Sequence, residues 1–312
     1  MKVDIAKTLI LLYLIFATAV SIILTILADN AKGAIRNTMR GITALLLSPV
    51  LAACLLWVDA AIIEPNWIEV TGLTVKSDNF DPRLKDAKIV QISDLHIEKI
   101  GFREKSLIHL VNGLKPDVLL ITGDFTNSKS GIEPCLKVLG ALHSRYGIYA
   151  ILGNTDNHYF RHEDRMVADL ESVGITVLRH DNIKLDLGDN GSLWLAGVSH
   201  NYQSRRGIAE AFSGIPLREP KITMIHNPDL ADDVAASGYR PQLILAGHTH
   251  GGQFGIPFIR KYSDYASRSK YMAGMFNIDG VPLYVNRGIG MKTRDFRFLC
   301  RPEITVLRLE RS

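Results

Sequence analysis

Two histidines two residues apart, His248 and His250, stand in the run Ala246-Gly-His-Thr-His-Gly-Gly-Gln253. Imidazole is the commonest metal ligand among side chains. The run follows Pro241-Gln-Leu-Ile-Leu-Ala, an apolar stretch of the kind that forms a buried strand. If the chain stays extended beyond it, both imidazoles point to one side and make half of a metal site. Gly247, Gly251 and Gly252 let the backbone turn tightly and come close to something. A pair of exposed loop histidines fits the same residues equally well, so the pair alone decides nothing.

Four other predicted strands also end in ligand-type residues. Lys88-Ile-Val-Gln-Ile-Ser runs into Asp94 and His96, 117–122 into Gly123-Asp124, 148–152 into Gly153-Asn154, and 221–225 into His226. Asp and Asn are common at strand ends for turn reasons, but chance does not readily put five such residues or pairs at the same topological position. Carboxylate, amide oxygen and imidazole suit manganese, iron, zinc or magnesium. Seven ligands are too many for one catalytic ion. They fit two ions about 3.5–4 Å apart with a shared carboxylate, a pair that clamps and hydrolyses a phosphate ester or pyrophosphate. No Gly-x-Ser-x-Gly elbow, Walker-type loop or Cys/His nucleophile pair is apparent.

The elements that must position these residues follow a strand, loop, helix pattern. Strands are predicted at 68–76, 175–178, 183–187, 193–198, 281–285 and 304–309, besides those that end in ligands. Helices are predicted near 104–114, 133–144, 162–172 and 230–236. This implies an α/β domain with partly parallel sheets, whose ligands sit outside the carboxyl ends of the strands.

The N-terminal 63 residues differ in kind. Thr8 to Ala28 and Gly41 to Val58 carry no charge, and about 20 apolar residues span a bilayer core. The expected organisation is a membrane anchor over 1–63, with spans at 8–28 and 41–58 around a polar loop at 29–40, and a catalytic domain over 64–312. Three basic residues in the loop nearly balance those on the other side. The expected location is the inner membrane, with the domain on the cytoplasmic side. Beyond residue 63, 31 basic residues stand against 29 acidic ones, so no basic stripe for nucleic acid is expected. Cys54, Cys135 and Cys300 form no CxxC pair.

The series Asp94-x-His96, Gly123-Asp124, Gly153-Asn154, His226 and Gly247-His248-x-His250 resembles the calcineurin-like metallophosphoesterase signature over roughly residues 66 to 310. The Gly-His-Thr-His-Gly-Gly-Gln run, with the closing Arg301-Pro-Glu-Ile-Thr, resembles its membrane-associated bacterial branch. The resemblance implies a four-layer α/β/β/α sandwich of two mixed sheets. It also implies two divalent ions, manganese first and iron, zinc or magnesium as alternatives. One ion takes Asp94, His96, Asp124 and His250; the other takes Asp124, Asn154, His226 and His248. Where the family commonly has the histidine proposed as general acid, this chain has Thr155. His158, close by, is the candidate substitute; alternatively no acid is needed, because a nucleotide phosphate is a good leaving group. The expected substrate is a phosphate-containing small molecule or a lipid-linked nucleotide such as UDP-2,3-diacylglucosamine. A generic phosphodiesterase or phosphomonoesterase is the alternative, and a non-catalytic membrane scaffold the competing class. Arg205, Arg206, Arg260, Lys261, Arg268 and Lys270, with Tyr262, Tyr265 and Tyr271, are candidates for substrate or headgroup contacts. His200 is an outside candidate for the site.

Overall fold

The computed structural model describes residues 5–159, 163–199, 205–255, 269–292 and 295–312. The chain divides into two compact units, Met1–Ala61 and Ile62–Ser312.

The first unit is a pair of helices, α1 (Ile5–Asn30) and α2 (Gly33–Val58), packed on each other. In α1 the buried positions Ala17, Ser21 and Ala28 are small, which lets the partner backbone approach. No residue of α2 is buried, although it is apolar along most of its length. The stretch expected as a polar loop at 29–40 is helical from Gly33 onward. Nothing in Asn37-Thr38-Met39-Arg40 breaks a helix, and the left-handed Gly33 supplies the turn. Among the described residues one helix, Gly33–Asn66, is long and apolar enough to cross a membrane by length and composition.

The second unit holds two mixed six-stranded sheets. One has the order β1 (Glu69–Lys76), β12 (Glu303–Glu310), β2 (Ile89–Ile92), β3 (Val118–Ile121), β4 (Ile148–Ala150), β5 (Ile175–Val177). The other has the order β10 (Gly274–Ile278), β11 (Val281–Val285), β9 (Leu243–Ala246), β8 (Lys221–Ile225), β7 (Ser192–Val198), β6 (Asp181–Asp186). Strands β2 to β5 are parallel, as are β7, β8, β9 and β11. The central strands are buried on both faces; β3 and β9 read as unbroken apolar runs and β2 is interrupted only by the buried Gln91, as parallel strands covered on both sides do.

Three apolar layers hold the sheets. Ile89, Leu120 and Ile151 meet Leu195, Met224 and Leu245 between them. Val90, Ile92 and Ile121 pack under α3 (Phe102–Leu114), α4 (Ile132–Leu139) and α6 (Glu163–Glu171). Val198, Ile225 and Ile244 pack under α7 (Arg205–Ala211) and α8 (Ala231–Ala236). This is the four-layer α/β/β/α sandwich. Because the parallel strands of both sheets run the same way, the loops after β2, β3, β4, β8 and β9 collect at one edge.

Candidate metal centre

All seven predicted ligands come together at that edge, in two groups. Asp94, His96 and His250 form one; Asp124, His226 and His248 form the other, with candidate ligand atoms within 4.8 Å of one another in each. Asn154, the first residue of α5 (Asn154–Tyr159), joins the second group through Oδ1, 3.0 Å from His226 Nε2. His248 and His250 therefore do not share one side of an extended chain, as the spacing alone suggested. Both have left-handed backbones, φ 72° and 52°, and the turn sends one ring to each group. Asp94, His96 and Asp124 are left-handed too, at 48°, 43° and 56°. Left-handed backbone is uncommon outside glycine, and its concentration here is strain held at a functional site.

The glycines of the motifs have a steric reason. A Cβ on Gly153 would lie 2.2 Å from Asp124 Oδ1, and one on Gly247 1.9 Å from Ser93 Oγ and 2.3 Å from Asp94 Oδ2. Neighbouring ligands occupy the space that any other residue would need.

Supporting contacts fix the ligands. The Asp94 carboxylate accepts from the His248 N–H at 2.8 and 3.1 Å and from Ser93 Oγ at 2.6 Å. His226 Nδ1 donates to the Thr122 carbonyl at 2.8 Å, which turns Nε2 inward. Asp156 is buried and accepts from the N–H groups of Asp124, Phe125 and Gly153 at 2.8–2.9 Å, locking the loops after β3 and β4 together. Thr155, where an acid was missing, donates to Asp124 from its N–H and its Oγ1, both at 2.8 Å. Its work is to orient the carboxylate.

The donor set suits a pair of cations. Asp124 Oδ2 lies 3.5 Å from His96 Nε2, and Asp124 Oδ1 lies 3.4 Å from His226 Nε2, so one carboxylate faces both groups. His96 Nε2 and His250 Nε2 are 3.1 Å apart, and His226 Nε2 and His248 Nδ1 3.2 Å. Each pair is at hydrogen-bond distance, so without metal a proton lies between the two nitrogens, and a cation bound by both would take its place. The Asn154 amide turned over would donate to both imidazoles; with Oδ1 inward it presents a fourth ligand atom instead.

Electrostatics agree. Burial holds His96 down at about 4, and burial with His96 beside it holds His250 well below the usual imidazole range. Both rings are thus neutral at pH 7, with a lone pair available. Burial also pushes Asp94 up to about 6, with the Asp124 charge adding to it. Against burial, His226 and then His96 and Lys292 hold Asp124 well below the usual carboxylate range. Burial would lower His226, but Asp124 and Asp94 raise it to about 9, so without metal a proton sits where a cation belongs.

Lys292 is a site residue that the sequence did not disclose. It arrives on the loop after β11, seven residues beyond the strand. Its Nζ donates to Thr155 Oγ1 and lies 3.5 Å from Asp124 Oδ2. No spacing or motif marks it. Other candidates fare differently. Lys270 pairs with Asp232 at 2.7 Å, Tyr271 donates to the same carboxylate at 2.6 Å, and Arg206 pairs with Glu210. His158 lies on α5, four residues past Asn154, and its side chain is outside the described residues, as is that of Arg205. Arg260, Lys261, Arg268, Tyr262, Tyr265 and His200 are also outside them.

The family model for calcineurin-like phosphoesterases matches residues 87–252, which contain all seven candidate ligands. The chain belongs to the calcineurin-like phosphoesterase family. This phosphoesterase is 30% identical over 283 residues to "Uncharacterized metallophosphoesterase YkuE" of Bacillus subtilis (strain 168), covering 88% of this chain and 97% of that one. It is 28% identical to "Transmembrane protein with metallophosphoesterase domain" of Bos taurus, covering 91% of this chain and 66% of that one. It is 27% identical to "UDP-2,3-diacylglucosamine pyrophosphatase LpxG" of Chlamydia trachomatis serovar D, covering 86% of this chain and 97% of that one. The phosphoesterase is a metal-dependent hydrolase of phosphoric ester bonds, with two His/Asp groups suited to a binuclear centre.

Proposed function

We propose that the protein is a membrane-anchored, two-metal phosphohydrolase that cleaves a phosphoester or pyrophosphate in a lipid-linked substrate such as UDP-2,3-diacylglucosamine. The observation that carries the metal assignment is the Asp124 carboxylate, with one oxygen facing each group. One ion is held by Asp94, His96, Asp124 and His250, and the other by Asp124, Asn154, His226 and His248, with manganese the first candidate. Such ions polarise a phosphoryl oxygen and acidify water. The chain's own residues do the rest. Thr155 and Thr122 fix the orientation of Asp124 and His226. Lys292 offers a cation to the phosphoryl oxygens. His158, four residues along α5 from Asn154, is the proposed proton donor to the leaving oxygen.

The apolar helix Gly33–Asn66 and the similarity to a protein named as a UDP-2,3-diacylglucosamine pyrophosphatase support the lipid-linked substrate. Cys54 and Cys135 are free thiols, which accords with a reducing compartment and the cytoplasmic side of the inner membrane.

The experiment is metal analysis with a substrate panel on the purified full chain. After Mn²⁺ addition the wild type carries about two ions, and Asp124→Ala loses metal from both sites together with activity. A wild type that holds no divalent ion refutes the assignment. On the panel, an acylated UDP-sugar in lipid vesicles is cleaved faster than a soluble phosphodiester. The opposite ranking returns the enzyme to a generic phosphodiesterase or phosphomonoesterase. His158→Ala slows esters with poor leaving groups by about 10²-fold or more, the usual span of general acid catalysis. Equal slowing of good and poor leaving groups removes His158 from that role.

A further inference from the structure

The sheet topology fixes where the chain enters the catalytic unit. Strand β12 runs antiparallel to β2, pairing Thr305 with Gln91 and Leu307 with Ile89. Strand β1 runs parallel to β12, pairing Glu69 with Glu303. The first residue of β1 is therefore level with the carboxyl end of β2, where Asp94 and His96 stand. The chain enters the catalytic unit on the same edge as the metal centre.

Contacts tie the entry to the centre. The buried Glu64 carboxylate accepts from the N–H groups of Leu299 and Cys300. Cys300 Sγ in turn donates to the His250 carbonyl at 3.3 Å. Trp67 lies under the Arg301 guanidinium, 3.7 Å from the ring centroid.

This edge also exposes large apolar side chains, where loops beside a hydrolytic site would be expected to be polar. Ile62, Ile63, Trp67, Ile100, Phe102 and Leu299 are between 41% and 72% exposed. They come from three separate segments, the entry, the loop after β2 and the segment before β12. Part of this collar lines an apolar groove of about 850 Å³, with Leu110 of α3 as its inner wall. Lys105 lines the groove and is exposed, and Lys99, in the loop after β2, is exposed too. Apolar and tryptophan side chains interleaved with cations are the composition of the bilayer interface, where rings sit at headgroup level and basic groups meet lipid phosphates.

The continuity of the chain identifies the occupant. Ile62 and Ile63 belong to the last turn continuous with α2, inside the apolar helix Gly33–Asn66. Whatever solvates the end of that helix also solvates the first residues of the collar. We infer that the collar of Ile62, Ile63, Trp67, Ile100, Phe102 and Leu299 seats in the interfacial layer of a lipid bilayer, so that the metal-centre edge of the catalytic unit faces the membrane. The inference rests on the reading of α2 as a membrane anchor and goes beyond it, since an anchor by itself leaves the orientation of the catalytic unit open.

The chain's three tryptophans provide the test. Trp57 lies in α2, Trp67 in the collar, and Trp194 near the start of β7, on the edge opposite the centre. Three full-length chains, each keeping one tryptophan with the other two replaced by Phe, are reconstituted in phosphatidylcholine–phosphatidylglycerol vesicles with brominated acyl chains. The expected result is quenching of Trp57 and Trp67 and none of Trp194. A fourth chain, tryptophan-free apart from Phe102→Trp, is quenched like the Trp67 chain, which guards against a folding defect in any one variant. Quenching of Trp57 without quenching of Trp67 or of the Phe102→Trp reporter overturns the collar and leaves the anchor standing. Absence of quenching at all three native positions overturns the anchor and the collar together. Quenching of Trp194 as strong as that of Trp67 also overturns the proposed orientation.

Discussion

Lys292 shows how a site residue escapes notice in a sequence. It stands in a loop with no periodicity around it, and only the fold brings its ammonium group to Thr155 and Asp124. Preorganised cations at developing charge contribute about 10²–10³-fold. Lys292→Ala is therefore expected to lower kcat by about 10²-fold on good and poor leaving groups alike, with metal content unchanged; unchanged kcat removes Lys292 from the chemistry. His226 leads to a prediction about pH. Its proton, held up to about 9 by Asp124 and Asp94 against burial, must leave before the ring can ligate. Mn²⁺ affinity should thus rise by about tenfold per pH unit from pH 7 towards 9 and then level off, with one proton released on binding. Calorimetry in buffers of different ionisation enthalpy measures that proton, and a pH-independent affinity contradicts the account. The seven residues that converge at the centre were legible as candidates, because each follows a strand whose apolar run announces it. The left-handed backbone that sends His248 and His250 apart was not, since spacing alone does not fix φ.

Among the elements, the loop from Val285 to Glu303 is built around a guanidinium. Arg297 is fully buried, and its donors reach the carbonyls of Arg287, Gly288, Gly290 and Cys300 at 2.6–3.2 Å. No carboxylate pairs with it in these contacts; the loop's own backbone takes that place. The N–H groups of Ile289 and Gly290 then donate to the carbonyls of Ser93 and Asp94, so the same loop braces the first ligand. Each buried polar group left without a partner costs about 1–3 kcal/mol, so Arg297→Ala is expected to destabilise the catalytic unit by about 3 kcal/mol or more. Arg297→Lys should restore only part, because an ammonium has three donors and a guanidinium five. Thermal unfolding checks both, and a melting temperature unchanged in Arg297→Ala contradicts the role. Strands β8 and β11 appear with the bounds their apolar runs predict, Lys221–Ile225 and Val281–Val285. Strand β10 and helix α5 were not foreseen. β10 is an edge strand with only one face against the core and alternates weakly, and α5 begins on Asn154 itself, which reads as a strand-end turn.

At the scale of the whole molecule, the catalytic unit carries its three apolar layers within itself. A chain starting at Ile62 should therefore fold and bind metal without the helices. One starting at Ile68 loses the Glu64 carboxylate that satisfies the Leu299 and Cys300 N–H groups, and should be less stable by about 1–3 kcal/mol. Equal melting temperatures for the two truncations would show that Glu64 carries no such load. The two-unit organisation is visible in composition, but the edge at which the chain enters the second unit is not. It depends on the direction of β12, a pairing between residues more than two hundred positions apart. Had β12 run parallel to β2, the tether would enter at the far side of the sheet from the ligands. As built, the chain enters the catalytic unit on the edge that carries the candidate metal centre, so a surface that held the entry would hold that edge near it. A substrate that shares that surface is met in two dimensions, so its concentration is counted per unit area. Turnover then follows the substrate's mole fraction in the surface, and adding more inert surface dilutes it even when the amount in the tube stays the same.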